Sequence, residues 1–424
     1  MKVRIIPNEL KGDVVIPPSK SLAHRAIIAG SLAEGKSVIT NLNFSNDITV
    51  TTQAMKDLGV DIEVFEDYEV ITGSKNLKRV NSTINCGESG STIRFMIPIS
   101  LLADGEVTFV GEGRLTTRPL NVFHEIFDKQ GIEYSRGVEE LPLTIDGKLK
   151  PGKFEVRGDI SSQFITGLLY TLPKLDGDSE IIITTNLESK GYIDLTLDIL
   201  DRFGVKIINE NYERFVVPGN QGYKAHDYRV EGDFSQVAFW LVAGFLNDGI
   251  NCLGMNPDSL QGDREIIKIL KDMGGDLRID KDIISIAGKQ SIGSTIDLSQ
   301  CPDLGPIVTV LASLSEGTTR IINAGRLRIK ESDRITSMTT ELNKLGANIA
   351  ETENGMIIEG VKNLKGGVEV DAWNDHRVAM ALAVASSRCD EPIILTGANS
   401  VKKSYPNFWK DFEKLSGKIQ IIEE

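Results

Sequence analysis

Ile193-Asp194-Leu195-Thr196-Leu197-Asp198-Ile199-Leu200-Asp201-Arg202-Phe203-Gly204 reads as one amphipathic helix closed by a glycine. Its apolar residues Ile193, Leu195, Leu197, Ile199, Leu200 and Phe203 mix three- and four-residue spacings suited to a single buried face. Glycine is the usual residue at a left-handed helix end. Comparable segments lead into Gly59, Gly131, Gly274, Gly346 and Gly417, so that with Gly204 the successive separations are 72, 73, 70, 72 and 71 residues. The copy before Gly346 carries Ile335, Met338, Leu342 and Leu345. A length of 424 residues divided by six is about 71, so six units account for the whole chain.

Each unit has the same internal order. After most of these glycines come two short apolar runs separated by a turn, at 60–64 and 69–71 or at 205–208 and 215–217, which is a hairpin pattern. A third run, a more apolar helix and another strand follow, expected at 14–16, 21–32 and 37–39, and again at 154–156, 162–172 and 180–183. We read the unit as βαβαββ, long enough for a parallel crossover. The last unit stops after its third strand at 418–422, and 2–6 is the strand that belongs to no other unit. The expected division is therefore 19–229 as one domain of three units, and 1–18 with 230–424 as the second.

Composition sets the class. With 41% hydrophobic and 25% charged residues the chain is globular. Its longest apolar run, 237–246, is far short of the roughly 20 residues that span a bilayer. Residues 2–7 reach Pro7 without an apolar signal core, so a cytoplasmic protein with no membrane partner is expected. Forty-seven Lys and Arg against 60 Asp and Glu leave −13, with no basic tract for nucleic acid. The cysteines Cys86, Cys252, Cys301 and Cys389 form no Cys-x-x-Cys pair, and the four histidines lack ligand spacing. Reduced thiols, no metal and no cofactor are expected.

The second helix of every unit starts on polar residues: Ser19-Lys20-Ser21, Glu88-Ser89-Gly90-Ser91, Ser161-Ser162-Gln163, Gly232-Asp233-Phe234-Ser235, Pro302-Asp303-Leu304-Gly305 and Asn374-Asp375-His376-Arg377. Singly, such residues are ordinary caps. Helix starts are also anion sites, and cations recur beside them: Lys20, Arg25, Arg94, Arg118, Lys330, Arg334, Arg377, Lys402 and Lys403. In an acidic chain that placement points to two or more phosphate or carboxylate groups bound together, with Arg suited to bidentate contact.

Pro18-Ser19-Lys20-Ser21 with Arg25, Ser89-Gly90-Ser91 with Arg94, Ser161-Ser162-Gln163, Ser189-Lys190 with Tyr192, Lys330-Glu331-Ser332-Asp333-Arg334 and Asn374-Asp375-His376-Arg377, in this order over about 17–408, resemble the 3-phosphoshikimate 1-carboxyvinyltransferase (EPSP synthase) family of enolpyruvyl transferases. The resemblance implies an α/β fold, a two-domain inverse α/β barrel of six βαβαββ units, three per domain, with the active site in the cleft between domains that close on the ligands. It implies transfer of the enolpyruvyl group of phosphoenolpyruvate to the 5-hydroxyl of shikimate 3-phosphate; a monomer is expected.

By the same resemblance Lys20, Ser21, Arg25, Ser161, Ser162, Gln163, Ser189, Asp303 and Lys330 hold shikimate 3-phosphate. Lys20, Gly90, Arg118, Gln163, Arg334, Arg377 and Lys403 hold phosphoenolpyruvate, whose place the inhibitor glyphosate takes in this family. Glu88 stands where Asn is frequent, and Arg326 where some members have Asn. The chemistry is addition then elimination, which needs an acid and a base on opposite sides of the ligand. Asp303 is assigned to the hydroxyl and Glu331 to C3, with Lys20 an alternative proton donor.

Two other readings compete. UDP-N-acetylglucosamine 1-carboxyvinyltransferases share the fold, but usually carry a reactive Cys in the loop matching 111–118, which here reads Gly-Glu-Gly-Arg-Leu-Thr-Thr-Arg. They also lack a counterpart of Ser161-Ser162-Gln163. A non-enzymatic ring or clamp would need a broadly basic inner surface instead of cations at helix starts only.

Overall fold

The computed structural model describes residues 1–247, 249–287 and 290–423. Lys20–Val230 forms one compact unit, and Met1–Ser19 with Glu231–Glu424 forms the other. Each is organised around its own apolar core. Among the described residues no helix is long and apolar enough to cross a membrane.

In the first of these units the helices Lys20–Leu32, Gly90–Ser100 and Ser162–Thr171 are buried almost along their whole length. Their apolar residues run all round the helix instead of forming a stripe, and such a helix is stable only inside. The helices Asn46–Asp57, Asn121–Gln130 and Lys190–Arg202 each bury one face; in the last, Ile193, Leu195, Thr196, Ile199 and Leu200 are covered. The other unit repeats the plan. Phe234–Leu246, Gly305–Ser313 and His376–Ser386 are its buried helices, and Ile266–Asp272, Arg334–Lys344 and Phe408–Lys414 its outer ones.

Four of the six buried helices, Gly90–Ser100, Ser162–Thr171, Gly305–Ser313 and His376–Ser386, link two strands that pair in parallel, and in five of the six sheets a hairpin follows with its second strand innermost. Thr83–Asn85, Val107–Val110, Leu143–Asp146 and Glu133–Arg136 lie side by side in that order. Along such strands covered residues alternate with more accessible ones, as in Val107–Val110, where Val107 and Phe109 are buried and Thr108 and Val110 half-buried. One sheet face meets the helices and the other meets water. Gly167 shows how closely the inner helices approach: a Cβ there would lie 2.4 Å from the Arg94 carbonyl oxygen and 2.9 Å from Pro98 Cγ.

Three details differ from the sequence reading. The strand expected to open the first unit, Gly12–Val15, pairs in parallel with Ile250–Leu253 instead. Tyr223–Lys224 and Tyr228–Arg229 take its place beside Ala33–Thr40. The chain passes from one unit to the other after Ser19 and returns after Val230, so each strand before a crossing satisfies its backbone groups in the unit it is leaving. Next, Gly59, Gly131, Gly204, Gly274 and Gly346 all have positive φ, but Gly417 does not; Ser416, at φ 72°, takes the left-handed position. Finally, the strand expected at 205–208 is Ile208–Glu210, because the Val205 amide is used to close the preceding helix on the Leu200 carbonyl. Lys2–Ile6 runs antiparallel to both Ile393–Thr396 and Lys418–Glu423.

One core residue has no apolar reason to be there. Glu69, on the strand Tyr68–Gly73, is 0% exposed, accepts a 2.6 Å hydrogen bond from Thr52 Oγ1, and has no hydrogen-bond partner at Oε2. Burial raises its pKa to about 7 against the opposing effects of Thr52 and Lys56. The folded protein therefore keeps a proton that the unfolded chain releases above the ordinary Glu range, and stability falls as pH rises from about 5 to about 7. The shift corresponds to about 3 kcal/mol. Glu69→Gln is expected to abolish this slope, matching the parent near pH 5 and exceeding it at pH 8 by about that amount, as read by urea unfolding at the two pH values.

Candidate active site

The helix starts carry the chemistry, and each unit presents its own set. In Lys20–Val230, Lys20 opens the first buried helix with its ammonium 2.6 Å from Asp47 Oδ2, both side chains largely covered. Asp47 sits in the first turn of Asn46–Asp57. Arg25 is 3% exposed and donates from Nε to Thr196 Oγ1 at 2.9 Å, from Nη1 to the Ser21 carbonyl at 2.8 Å and from Nη2 to the Tyr192 carbonyl at 3.0 Å. It lies over the Phe95 and Tyr192 rings. These contacts engage all three guanidinium nitrogens and hold the group to the frame beside Ser21. Ser189, fully buried, holds a left-handed conformation at φ 58° just before Lys190–Arg202.

A second group in this unit surrounds the next two helix starts. Ser89 caps Gly90–Ser100 by accepting from the Thr92 amide. The buried Arg118 guanidinium lies directly against Gly90, since a Cβ at that position would be 2.7 Å from Nη1 and 2.9 Å from Cζ. Gln163 is gripped at both ends of its amide: Nε2 donates to Ser91 Oγ at 2.9 Å, and Oε1 accepts from Arg94 Nη1 at 2.8 Å. Arg94 in turn lies over the Phe164 ring. Ser161 caps the Gln163 amide at 3.3 Å, with Ser162 buried beside it. Glu88 turns toward the loop that follows, where a Cβ on Gly113 would lie 2.5 Å from its Oε2.

In the other unit the charges converge on Arg334, which is 1% exposed. Its Nε and Nη2 bind the two Asp375 oxygens at 2.8 and 3.2 Å, Nη2 also reaches Glu331 Oε2 at 2.7 Å, and Nη1 reaches Asp303 Oδ1 at 3.0 Å. Four N–H directions of one guanidinium thus serve three carboxylates. Asp303 receives two further cations, Lys330 at 3.2 Å and Arg377 Nη2 at 3.1 Å. Arg377 Nη2 also donates to Ser235 Oγ at 3.0 Å, and Lys403 donates to the Asn374 carbonyl at 2.7 Å. Asp375 caps His376–Ser386 and Asp233 caps Phe234–Leu246, whereas Asp303 lies in the 3-10 turn Pro302–Leu304 and spends its oxygens on the cations.

The energetics follow from that crowding. Burial opposes ionisation of Asp303, but Arg377, Lys330 and Arg334 outweigh it and hold the carboxyl well below its ordinary range. Asp375 is also shifted down, Arg334 prevailing over burial. Burial lowers the Lys330 ammonium to about 8; Arg326 and Arg334 add to the effect and Asp303 opposes it. Arg334 is shifted upward despite burial by Asp375, Glu331 and Asp303. Among the described residues no group of three or more His, Cys, Asp or Glu side chains is placed to hold a metal ion.

The comparisons agree with one another. A family model described as EPSP synthase (3-phosphoshikimate 1-carboxyvinyltransferase) matches residues 5–412. The chain belongs to the EPSP synthase family. The 3-phosphoshikimate 1-carboxyvinyltransferase of Clostridium novyi (strain NT) is 56% identical, over 100% of this chain and 98% of its own. That of Clostridioides difficile (strain 630) is 54% identical, over 98% of each. Among solved structures, an EPSP synthase from Acinetobacter baumannii superposes with a TM-score of 0.82 at 27% identity, over 99% of this chain and 100% of that one. An enolpyruvyl transferase from Streptomyces tendae shares the fold at 17% identity, with a TM-score of 0.80.

Within this EPSP synthase frame, Lys20, Ser21, Arg25, Gly90, Arg118, Ser161, Ser162, Gln163 and Ser189 belong to one unit, and Asp303, Lys330, Glu331, Arg334, Arg377 and Lys403 to the other. Sequence reasoning passed over Asp47, which reads as a routine acid in a first helical turn, and quoted Ser235 in its helix start without a role of its own. It noted Asp375 in its motif without giving it the part it has here, as the bidentate partner of Arg334.

Proposed function

We propose that both sets act on one substrate pair, and that the chain thereby transfers the enolpyruvyl group of phosphoenolpyruvate to the 5-hydroxyl of shikimate 3-phosphate, forming 5-enolpyruvylshikimate 3-phosphate and phosphate. The observation that carries this reading is Asp303, a carboxylate set among Lys330, Arg334 and Arg377 in a chain of this family. Lys20, Ser21, Arg25, Ser161, Ser162, Gln163, Ser189, Asp303 and Lys330 hold shikimate 3-phosphate. Lys20, Gly90, Arg118, Gln163, Arg334, Arg377 and Lys403 hold phosphoenolpyruvate. The free state of all four thiols suits a cytoplasmic enzyme, acting as a monomer.

In the addition step the 5-hydroxyl oxygen bonds to C2 of phosphoenolpyruvate, its proton passes to Asp303, and C3 receives a proton from Glu331, which takes that proton up from solvent once the substrate anions draw Arg334 from it. In the elimination step C3 returns a proton and the C2–O bond to phosphate breaks. Arg118, Arg334, Arg377 and Lys403 balance the charge that gathers on phosphate and carboxylate. Lys20 is the alternative donor to C3.

Three cations make Asp303 a weak base, and substrate binding removes that obstacle. The anionic oxygens of the substrates compete for the same N–H donors on Lys330, Arg334 and Arg377. As donors turn to the ligand, the proton affinity of Asp303 rises toward that of an ordinary carboxylate, so the base gains strength when its proton source is in place.

A thermal-shift series tests the substrate assignment. Shikimate 3-phosphate is expected to raise Tm with concentration, further in the presence of phosphoenolpyruvate, while UDP-N-acetylglucosamine leaves it unchanged; the reverse ranking would reject the assignment. Glu331→Gln keeps the shape of the side chain and removes its proton, and should lower kcat roughly 100-fold or more with shikimate 3-phosphate affinity retained. Near-normal turnover would move the C3 proton to Lys20. Gly90→Ala is expected to displace Arg118 and raise KM for phosphoenolpyruvate, weakening the longer glyphosate more and sparing shikimate 3-phosphate. Equal loss of affinity for both substrates would reduce Gly90 to a turn residue.

A further inference from the structure

The approach to Asp375 is strained. Trp373 and Asn374, neither of them glycine, have φ of 54° and 52°, side by side. Asn visits this region at modest cost, but a tryptophan does so only where its surroundings hold it. Glu341, on the helix Arg334–Lys344 and 1% exposed, supplies the hold. Its Oε1 accepts from the Trp373 indole Nε1 at 2.8 Å, and its Oε2 accepts from the Asp371 amide at 3.1 Å. Lys344 completes its partners at 2.8 Å, and the Trp373 amide is tied to Asp371 Oδ1 at 2.5 Å.

Two groups adjoin the turn thus held, of which Asp375 is also fixed by its own bonds to Ser332, Arg334 and the Arg377 amide. The Asn374 carbonyl receives the Lys403 ammonium at 2.7 Å. Asp375 follows at once, capping its helix and clasping Arg334. A helix face buried for packing has no need of a carboxylate, which requires satisfied partners wherever it is covered. Here two of the three partners, the Asp371 amide and the Trp373 indole, belong to the turn, and Lys344 is the third.

We propose that Glu341 is a positioning residue for Lys403, acting through the Trp373-Asn374 turn, so that it governs phosphoenolpyruvate recognition without touching substrate. The proposal rests on the assignment of Lys403 to phosphoenolpyruvate above. With the indole bond gone, the turn relaxes, the Asn374 carbonyl moves, and the ammonium loses its anchor.

Trp373→Phe removes the single indole donor and retains the ring at a partly exposed position, so folding is preserved and is checked by Tm. It is expected to raise KM for phosphoenolpyruvate roughly 10-fold, the scale of one hydrogen bond to a charged group, with KM for shikimate 3-phosphate and kcat within about 3-fold of the parent. Glu341→Gln should move the same constant in the same direction. In a Lys403→Met background, Trp373→Phe should add nothing further, because the group being positioned is absent. An unchanged KM for phosphoenolpyruvate, a parallel rise in both KM values, or effects of Trp373→Phe and Lys403→Met that multiply would overturn the proposal. A parent protein without turnover on the two substrates rejects the functional reading and this proposal together. An active parent in which Lys403→Met alone leaves KM for phosphoenolpyruvate unchanged removes the Lys403 assignment and, with it, the role of Glu341.

Discussion

The arrangement of the Glu231–Glu424 half depends on one guanidinium. Arg334 is covered almost completely, and three carboxylates from three separate stretches of chain meet on it. With Lys330 and Arg377 included, three cations face the three carboxylates Asp303, Glu331 and Asp375, so the cluster is formally neutral. A charge in that position is tolerable only when every donor is used, and removing one member leaves another unpaired. The site is therefore self-balancing. On the proposed function, an anion that enters it exchanges partners with carboxylates already present, so recognition and the tuning of acids and bases become one event.

The scaffold explains why polar groups can gather there. The three buried helices of each half are covered on nearly all sides, so a polar residue stands either near a helix end or, like Arg25 and Arg94, with its donors matched to partners. Ser89, Ser161, Asp233 and Asp375 cap these helices with their own side chains. Asp303 differs from these four, since its helix begins with a 3-10 turn and its carboxylate stays available for cations. A helix start without a side-chain cap thus carries the proposed base.

Periodicity made most of this legible. Helices and strands repeating at about 71 residues gave the six units, because a 3.6-residue stripe and a following hairpin are local patterns that survive without knowledge of partners. Strand pairing is not local, and that is where the reading slipped: Gly12–Val15 has the pattern of a first strand but pairs with Ile250–Leu253. The site followed the same division. Residue types at helix starts pointed to bound anions, and a family resemblance attached roles to them. The partners that hold those residues in place, Asp47 on Lys20 and Glu341 behind Trp373, sit in outer helices where Asp and Glu are commonplace. Nothing in the sequence marks Glu341 as buried or Asp47 as largely covered.

The pairing of Lys2–Ile6 also orders events during synthesis. That strand lies between Ile393–Thr396 and Lys418–Glu423, both made nearly four hundred residues later, whereas Lys20–Val230 is a single uninterrupted stretch. On the ribosome the middle of the chain can reach its folded state while the strand ahead of it still waits for neighbours. An unpaired strand edge is a template for the wrong partner, and its exposure lasts as long as translation of the remainder. Lys2 and Arg4, alternating with Val3 and Ile5, place charge along that edge for the interval, a form of protection whose value ends when the last strand arrives.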